Sequence, residues 1–478
     1  MFKFIVLWAV LVAVLSSCGR EAPEAYEAEE TAREVTFSIL APVSYTHAIR
    51  TAAGRLARGL AEYGIEFSIE LTTFDGVDEA EEELSRLRVA LMANRDVPDL
   101  VINAGFPVRS FSESGLLADF YSLIDASERF SRSDFFESAL EAFEMGGGLY
   151  LLPLSFGFDL IGINNSLSDE LLSRLSEKDS INMHDLIKLY NAARHDGAHA
   201  RWARVPIHNF GNALHQIYVY AYQFIDFDAQ ASGFLEDEFV EFLRSMRLAQ
   251  AGREEYTFRG YVMWGNALGS YEEFANIAQE HPFINMAGQL NPVLPLLGSS
   301  HSYFSDFLPL ADRDGRLMLR TNLQFSPYGQ WGAPTWGSAF APAGSENQSF
   351  LLDFVYELVL ALTTYISRGF GTPSFVSFGP ESISTPIFQS MADRYYSAVF
   401  DRFLAQDRGQ NPRLHEGSTR NDALARVAKL NARPMVFVDV EFMSSLFSDT
   451  VYRFLIGYLT PEQAAREMHN RVTLWLIE

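Results

Sequence analysis

Between residues 35 and 102 the apolar positions switch repeatedly between two periods. Val35-Thr-Phe37-Ser-Ile39 alternates apolar with polar residues, as a half-buried strand does. From about Thr46 to Tyr63, Leu56 and Leu60 share one helical face, and Gly64 follows as a stop signal. A second alternating run, Ile65-Glu-Phe67-Ser-Ile69-Glu-Leu71, predicts the next strand. Asp78-x-x-Glu81 reads as a capping box opening a helix lined by Leu84, Leu87 and Leu91. Pro98-Asp-Leu-Val-Ile102 is more continuously apolar, as a fully buried strand would be. Strands alternating with helices predict an α/β layer with a mainly parallel sheet. Ligands of such sheets bind beyond the carboxyl ends of the strands, which directs attention to residues 42–46 and 104–107. Near the C-terminus Thr460, Pro461 and Gln463 form a helix start: N-cap, proline at N1 and glutamine at N3.

The N-terminus has a different pattern. Lys3 precedes an apolar run that ends Leu15-Ser16-Ser17-Cys18, the layout of a secretory signal peptide. The run is short of the ~20 residues that a membrane-spanning helix needs. Leu15-Ser16-Ser17-Cys18 resembles the lipobox of bacterial lipoproteins, which implies cleavage after residue 17 and lipidation of Cys18. The other reading of Cys18 is an incidental thiol at the end of an export signal. Residues 18–33 are acidic, polar and unable to build a core, so a flexible tether is expected there. The fifteen residues after Cys18, 19–33, reach at most ~50 Å when extended.

Composition narrows the partners. A chain of 478 residues is expected to form two domains. Its net charge of −24 disfavours nucleic acid and anionic lipid headgroups. Cys18 is the single cysteine, so internal disulfides and cysteine metal sites are ruled out. His195-x-x-x-His199 has zinc-like spacing, but Gly197 interrupts it and no third ligand is evident, so no metal and no cofactor are expected. Gly146-Gly147-Gly148 lacks the Gly-Lys-Ser/Thr of a phosphate loop and reads as a tight turn. Asp312-Arg-Asp314-Gly315 lacks the closing glutamate of a calcium loop. No serine-elbow, zincin or cysteine-nucleophile motif is present.

Ordered segments along the chain resemble one family. Leu91-Met-Ala-Asn-Arg-Asp-Val-Pro98-Asp99-Leu-Val is similar to its helix leading into Pro-Asp and a strand. Gly115-Leu-Leu-Ala-Asp119-Phe is similar to its Gly-Leu-Leu-x-Asp-Leu segment. Gly147-Gly148-Leu-Tyr150-Leu-Leu-Pro153, with Leu160-Ile-Gly-Ile-Asn164, is similar to its strand crossing between lobes. Trp336-Gly-Ser-Ala-Phe-Ala-Pro342, then Ser345-x-x-Gln348 and a helix to about Ser367, is similar to its return strand and helix. Gly457-Tyr-Leu-Thr460-Pro461 onward is similar to its last helix. Together they resemble bacterial extracellular solute-binding protein family 1, the sugar-binding type of ABC-importer receptor. The likeness covers about two thirds of the chain and is weakest over 176–255 and 376–445.

The resemblance implies an α/β, two-lobed periplasmic-binding-protein-like fold with a ligand cleft between lobes that close on a hinge. Lobe I would be 34–155 completed by 338–372, lobe II 156–337, with 373–478 a helical region packing mainly on lobe II. It implies a monomeric, extracytoplasmic receptor, anchored to a bacterial membrane through Cys18, that delivers a sugar or oligosaccharide to ABC permease subunits. A secreted glycoside hydrolase or lyase, and a non-transport sensor or scaffold on the same fold, are the alternatives. Candidate ligand contacts are the aromatics Tyr45, Phe106, Phe156, Phe158, Trp264, Trp331 and Trp336, whose flat faces suit sugar rings. Each also fits a core position, because aromatics dominate cores. Ser44, Asp159 and Asn266 are the candidate polar partners.

Overall fold

The computed structural model describes residues 33–103, 106–157, 159–164, 180–181, 184–185, 217–250, 283–285, 302–303, 310–311, 317–325, 333–334, 337–367, 382–383, 385–406, 413–414, 421, 424–425, 428, 438 and 440–477. The expected signal segment and Cys18 lie outside them. Strand β1 (Arg33–Pro42) begins at Arg33, which pairs with Ile65, so the last residue of the expected tether already belongs to a sheet. Helix α1 (Thr46–Ala61) buries Ala48, Ile49, Ala52, Ala53 and Leu56, small residues that let it sit close to the strands. Strand β2 (Ile65–Phe74) runs parallel to β1, with Val35 opposite Phe67 and Phe37 opposite Ile69. Helix α2 (Gly76–Ala93) buries Leu87 and Leu91, as their spacing predicts. Its cap differs from the expected one. Asp75 is the N-cap residue, and its backbone N–H donates to Glu79 Oε2 at 2.7 Å. Asp78 and Glu79 stand in the first turn, where negative charge suits the helix dipole. Strand β3 (Leu100–Asn103) pairs parallel with β1 on its other side.

Helices α3 (Val108–Glu113), α4 (Phe120–Ala126) and α5 (Glu137–Ala142) follow. Asp119 caps α4, accepting from the N–H groups of Tyr121 (3.0 Å) and Ser122 (3.3 Å), and accepts from Leu149 N–H at 2.9 Å. The glycine triplet forms the expected tight turn: Met145 bridges Gly148, and Gly146 and Gly147 take φ of 58° and 81°. From there the chain leaves the first layer through β4 (Leu152–Pro153), β5 (Ser155–Gly157) and β6 (Asp159–Asn164). Next come β7 (Ser180–Ile181), β8 (Ile225–Asp226), β9 (Ala231–Ser232), α6 (Asp237–Gln250), β10 (Phe283–Asn285), β11 (Ser302–Tyr303) and β12 (Leu310–Ala311). It returns through β13 (Leu317–Phe325), β14 (Ala333–Pro334) and β15 (Ser338–Phe340) into α7 (Gln348–Ser367). The remaining elements are β16 (Ser382–Ile383), β17 (Thr385–Pro386), α8 (Gln389–Gln406), β18 (Arg413–Leu414), α9 (Val440–Leu455) and α10 (Pro461–Ile477).

Two sheets result. The first has the order β2-β1-β3-β15-β4, with β15 antiparallel to both neighbours. The second has the order β10-β6-β13-β12-β18, with β7 beside β13. A third small sheet, β14-β5-β17, lies between them in sequence: β4-β5-β6 leads out, β13-β14-β15 leads back, and β5 pairs antiparallel with β14. The two passages are therefore hydrogen-bonded to each other, and β17, between α7 and α8, pairs with the other side of β5.

Two cores match this division. The first gathers Phe37, Ile39, Val101, Phe120, Leu152, Phe340, Phe354 and Leu358, all essentially inaccessible to solvent. Met391, Tyr395 and Tyr396 of α8 belong to it too, although the helix falls inside the C-terminal stretch expected against lobe II. The second core joins Ile217, Tyr220, Phe234, Phe239 and Phe242 to Phe447, Phe454, Met468 and Val472 of α9 and α10. His184 packs edge-on against Tyr220 and Phe242, both at 6.2 Å. Helix α10 opens with the capping box read from its sequence: Gln463 N–H donates to Thr460 Oγ1 (3.2 Å) and Thr460 N–H to Gln463 Oε1 (2.9 Å). Among the described residues no helix is long and apolar enough to cross a membrane.

Asp99 ties the return passage to the first strands. Its carboxylate accepts from Ser38 N–H (2.7 Å), Ser38 Oγ (3.1 Å), Ser345 Oγ (2.6 Å) and Asn347 Nδ2 (3.1 Å), and the residue is buried. A buried carboxylate with all these donors costs little to desolvate, and it holds three distant segments in register. The Pro-Asp motif is thus a structural clamp.

Candidate functional site

The carboxyl ends of β1 and β3 and the amino end of β15 meet at one edge of the first sheet, since Ser338 pairs with Asn103. The parallel order β2-β1-β3 makes this the edge where a ligand of an α/β layer is held. The chain leaves β1 there in a single 3-10 turn, Val43–Tyr45, which exposes Val43 and Ser44. Ser44 is therefore on the surface. Tyr45 is not: it is 3% exposed, and burial pushes its phenol well above the usual range. Its hydroxyl lies beneath Gly337, where an added Cβ would come within 2.5 Å of it. Gly337 also takes a φ of 85°, so the second passage begins at a position that only glycine fills without strain. Tyr45 supports that passage and offers no free ring face.

Two further candidates are corrected in the same way. Phe106 is 6% exposed and packs against Phe74 (5.8 Å) and Phe340 (6.3 Å), while its N–H donates to Asn103 Oδ1 at 2.8 Å. Phe156, in β5, is fully buried and meets Phe136 edge-on at 5.3 Å. Both rings fill the first core because their backbones lie inside it, and an aromatic ring gains more from such packing than from water. Asp159 opens β6, where its backbone pairs with Phe325. Phe158, Trp264, Asn266, Trp331 and Trp336 lie outside the described residues.

The sequence reading missed Arg109. It stands at the start of α3, just after the loop that leaves β3, with Val108 and Phe111 buried on either side. Its guanidinium reaches the other core: Cζ lies 3.9 Å from the ring centre of Phe227, and Nη2 donates to the Tyr222 hydroxyl at 3.4 Å. Glu113, one turn along, approaches Nη1 at 3.9 Å. Phe227 is held by Tyr222 (5.5 Å), Phe442 (5.7 Å) and Trp475 (6.2 Å). The only sequence signal was proximity to the 104–107 loop; Tyr222 and Phe227 carry no motif. Among the described residues no group of three or more His, Cys, Asp or Glu could hold a metal ion.

No family model matches the sequence. No curated protein matches it either. Solved structures do resemble it. A periplasmic oligogalacturonide binding protein from Yersinia enterocolitica aligns over 93% of this chain and 99% of its own, with a TM-score of 0.52 and 12% identity. A cyclic alpha-maltosyl-1,6-maltose binding protein from Arthrobacter globiformis aligns over 93% and 99%, at 0.49 and 13% identity. An extracellular solute-binding protein family 1 member from Alicyclobacillus acidocaldarius aligns over 94% and 100%, at 0.48 and 12% identity. The Yersinia likeness, with the paired crossings described above, defines the fold: this chain is a two-lobed, periplasmic-binding-protein-type α/β protein.

Proposed function

We propose that this chain is a membrane-tethered receptor of extracellular solute-binding protein family 1, which captures a carbohydrate outside the cytoplasm and delivers it to an ABC importer. The observation that carries the reading is the pairing of β5 with β14, which brings together the outgoing and returning passages between two separately cored lobes. Such a joint suits hinge closure around a ligand that contacts both lobes. The fold neighbour from Yersinia is described as binding oligogalacturonides, which supports an oligosaccharide as the ligand class. The lipobox-like Leu15-Ser16-Ser17-Cys18 supports an anchor on Cys18, with the following residues as tether. Ser44, exposed at the carboxyl edge of the first sheet, is one polar contact from lobe I; Asp159 and the aromatics Trp331 and Trp336 would supply contacts from the crossings and lobe II.

A thermal-shift screen of neutral, amino and acidic oligosaccharides tests the reading. A ligand at a hundred times its Kd stabilises by about 2.7 kcal/mol. For lobes of roughly 150–250 residues that is a rise of about 5–10 °C, without product release. No shift with any saccharide refutes the carbohydrate receptor, and release of shorter sugars supports the hydrolase or lyase alternative. Cys18→Ser should leave the shift unchanged while moving the protein from the membrane to the soluble fraction of expressing cells.

A further inference from the structure

We propose that Arg109 is a latch across the cleft, drawing the two lobes together before any ligand is bound. One end of the contact is fixed by the first lobe. Val108 and Phe111 anchor α3 in that core, so the Arg109 side chain starts from a rigid position and is only 14% exposed. The other end is fixed by the second lobe. Phe227 packs on the second core within the cluster of Tyr222, Phe442 and Trp475, and Phe442 and Trp475 are themselves 4.7 Å apart. The contact therefore cannot form or break without the lobes moving relative to one another, unless the Arg109 side chain alone swings away.

The chemistry suits a reversible contact. Guanidinium sheds its weakly held water more readily than ammonium and lies flat on a ring, so arginine is the cation fitted to this place. Glu113 offsets its charge from 3.9 Å without gripping it. Nε is buried and has no hydrogen-bond partner among the described residues. Opening the lobes returns that N–H to water, which counterbalances part of the ring contact and keeps either state accessible. When the binding-competent arrangement is only partly populated, apparent affinity scales with that population. Arg109 thus tunes affinity for a ligand it need not touch. The latch rests on the two-lobed fold and not on which ligand is bound.

The test needs no ligand. Cys18→Ser removes the single cysteine, and the exposed Tyr63 in the first lobe and Tyr458 in the second can then be replaced by cysteine and spin-labelled. Pulsed dipolar spectroscopy on the ligand-free chain reads the distances between the labels. Arg109→Met, which keeps the stem, should shift the latched-to-open ratio toward open by about two- to thirtyfold. Phe227→Leu should shift it alike, and the pair should do no more than either alone. Tyr222→Phe should shift it less, and serves if a larger change disturbs folding as judged by circular dichroism. Distance distributions unchanged by Arg109→Met and by Tyr222→Phe overturn the latch, as do additive shifts from Arg109→Met and Phe227→Leu. A saccharide screen that fails leaves this measurement standing, so the two readings fall separately.

Discussion

Removing the Asp99 carboxylate should loosen the first lobe and leave the second intact. Hydrogen bonds to a charged group contribute about 1.5–3 kcal/mol each. In Asp99→Ala, Ser345 and Asn347 lie in the turn between β15 and α7 and can swing to water, so their share of the loss is small. The Ser38 N–H and hydroxyl, 2.7 and 3.1 Å from Oδ2, lose their acceptor inside the sheet. Two such bonds put the loss at about 3–6 kcal/mol, a large part of an ordinary stability of about 5–15 kcal/mol. Asp99→Asn keeps the shape and one acceptor and should cost about half as much. Hydrogen exchange followed by mass spectrometry resolves the lobes. Peptides spanning β1, β3 and β15 should lose about two to four orders of magnitude of protection in Asp99→Ala, while peptides spanning α6, α9 and α10 keep theirs. A loss below about 1 kcal/mol in the first lobe, or an equal loss in both lobes, would refute the clamp.

Three further outcomes are expected. Gly337→Ala should destabilise by at least about 1–2 kcal/mol from its positive φ alone, and adding Tyr45→Phe should recover only the part due to the 2.5 Å clash; equal urea midpoints for the single and double variants would argue against the contact. Phe156→Ala should cost about 3–5 kcal/mol in urea denaturation, as a core deletion does; a neutral effect on stability with a weakened ligand shift would return Phe156 to the cleft. Arg244 holds the Glu462 carboxyl down at about 2, against an ordinary 4.5, and so ties α6 to the first turn of α10. Because the folded value is depressed, this contribution is complete above about pH 4.5 and is lost as the pH falls toward 2. Glu462→Gln should flatten the acid limb of a stability-versus-pH curve in that window, and an unchanged limb would deny the pair a role.

Much of the architecture was legible before any coordinates. The α1, β1, β2 and α10 elements follow from apolar period and end signals, which act over a few residues, and α7 from the family resemblance. Thr460 and Gln463 cap α10 as their identities dictate, because both partners of that motif are three residues apart. The α2 cap was misplaced because several acidic residues crowd its first turn, and composition alone does not say which one takes the extended backbone of an N-cap. The parallel order of β1, β2 and β3, and with it the edge formed by their carboxyl ends, was also legible. Its lining was not. Tyr45, Phe106 and Phe156 were chosen for their place along the chain, and all three turned inward.

By itself, then, the sequence determined what depends on near neighbours: the first strands and helices and their order, the cap of α10, the acidic charge and the single cysteine in a lipobox-like setting. The tertiary structure decided what depends on partners far along the chain. An aromatic residue reads the same whether it fills a core or faces a cleft, and only the segment packed over it settles which. Gly337 closes over Tyr45, Ser345 and Asn347 reach Asp99, and Phe227 receives Arg109, each across more than a hundred residues. Contacts of that span leave no period in the sequence, because chain closure over such distances is set by the packing of whole lobes and not by local spacing.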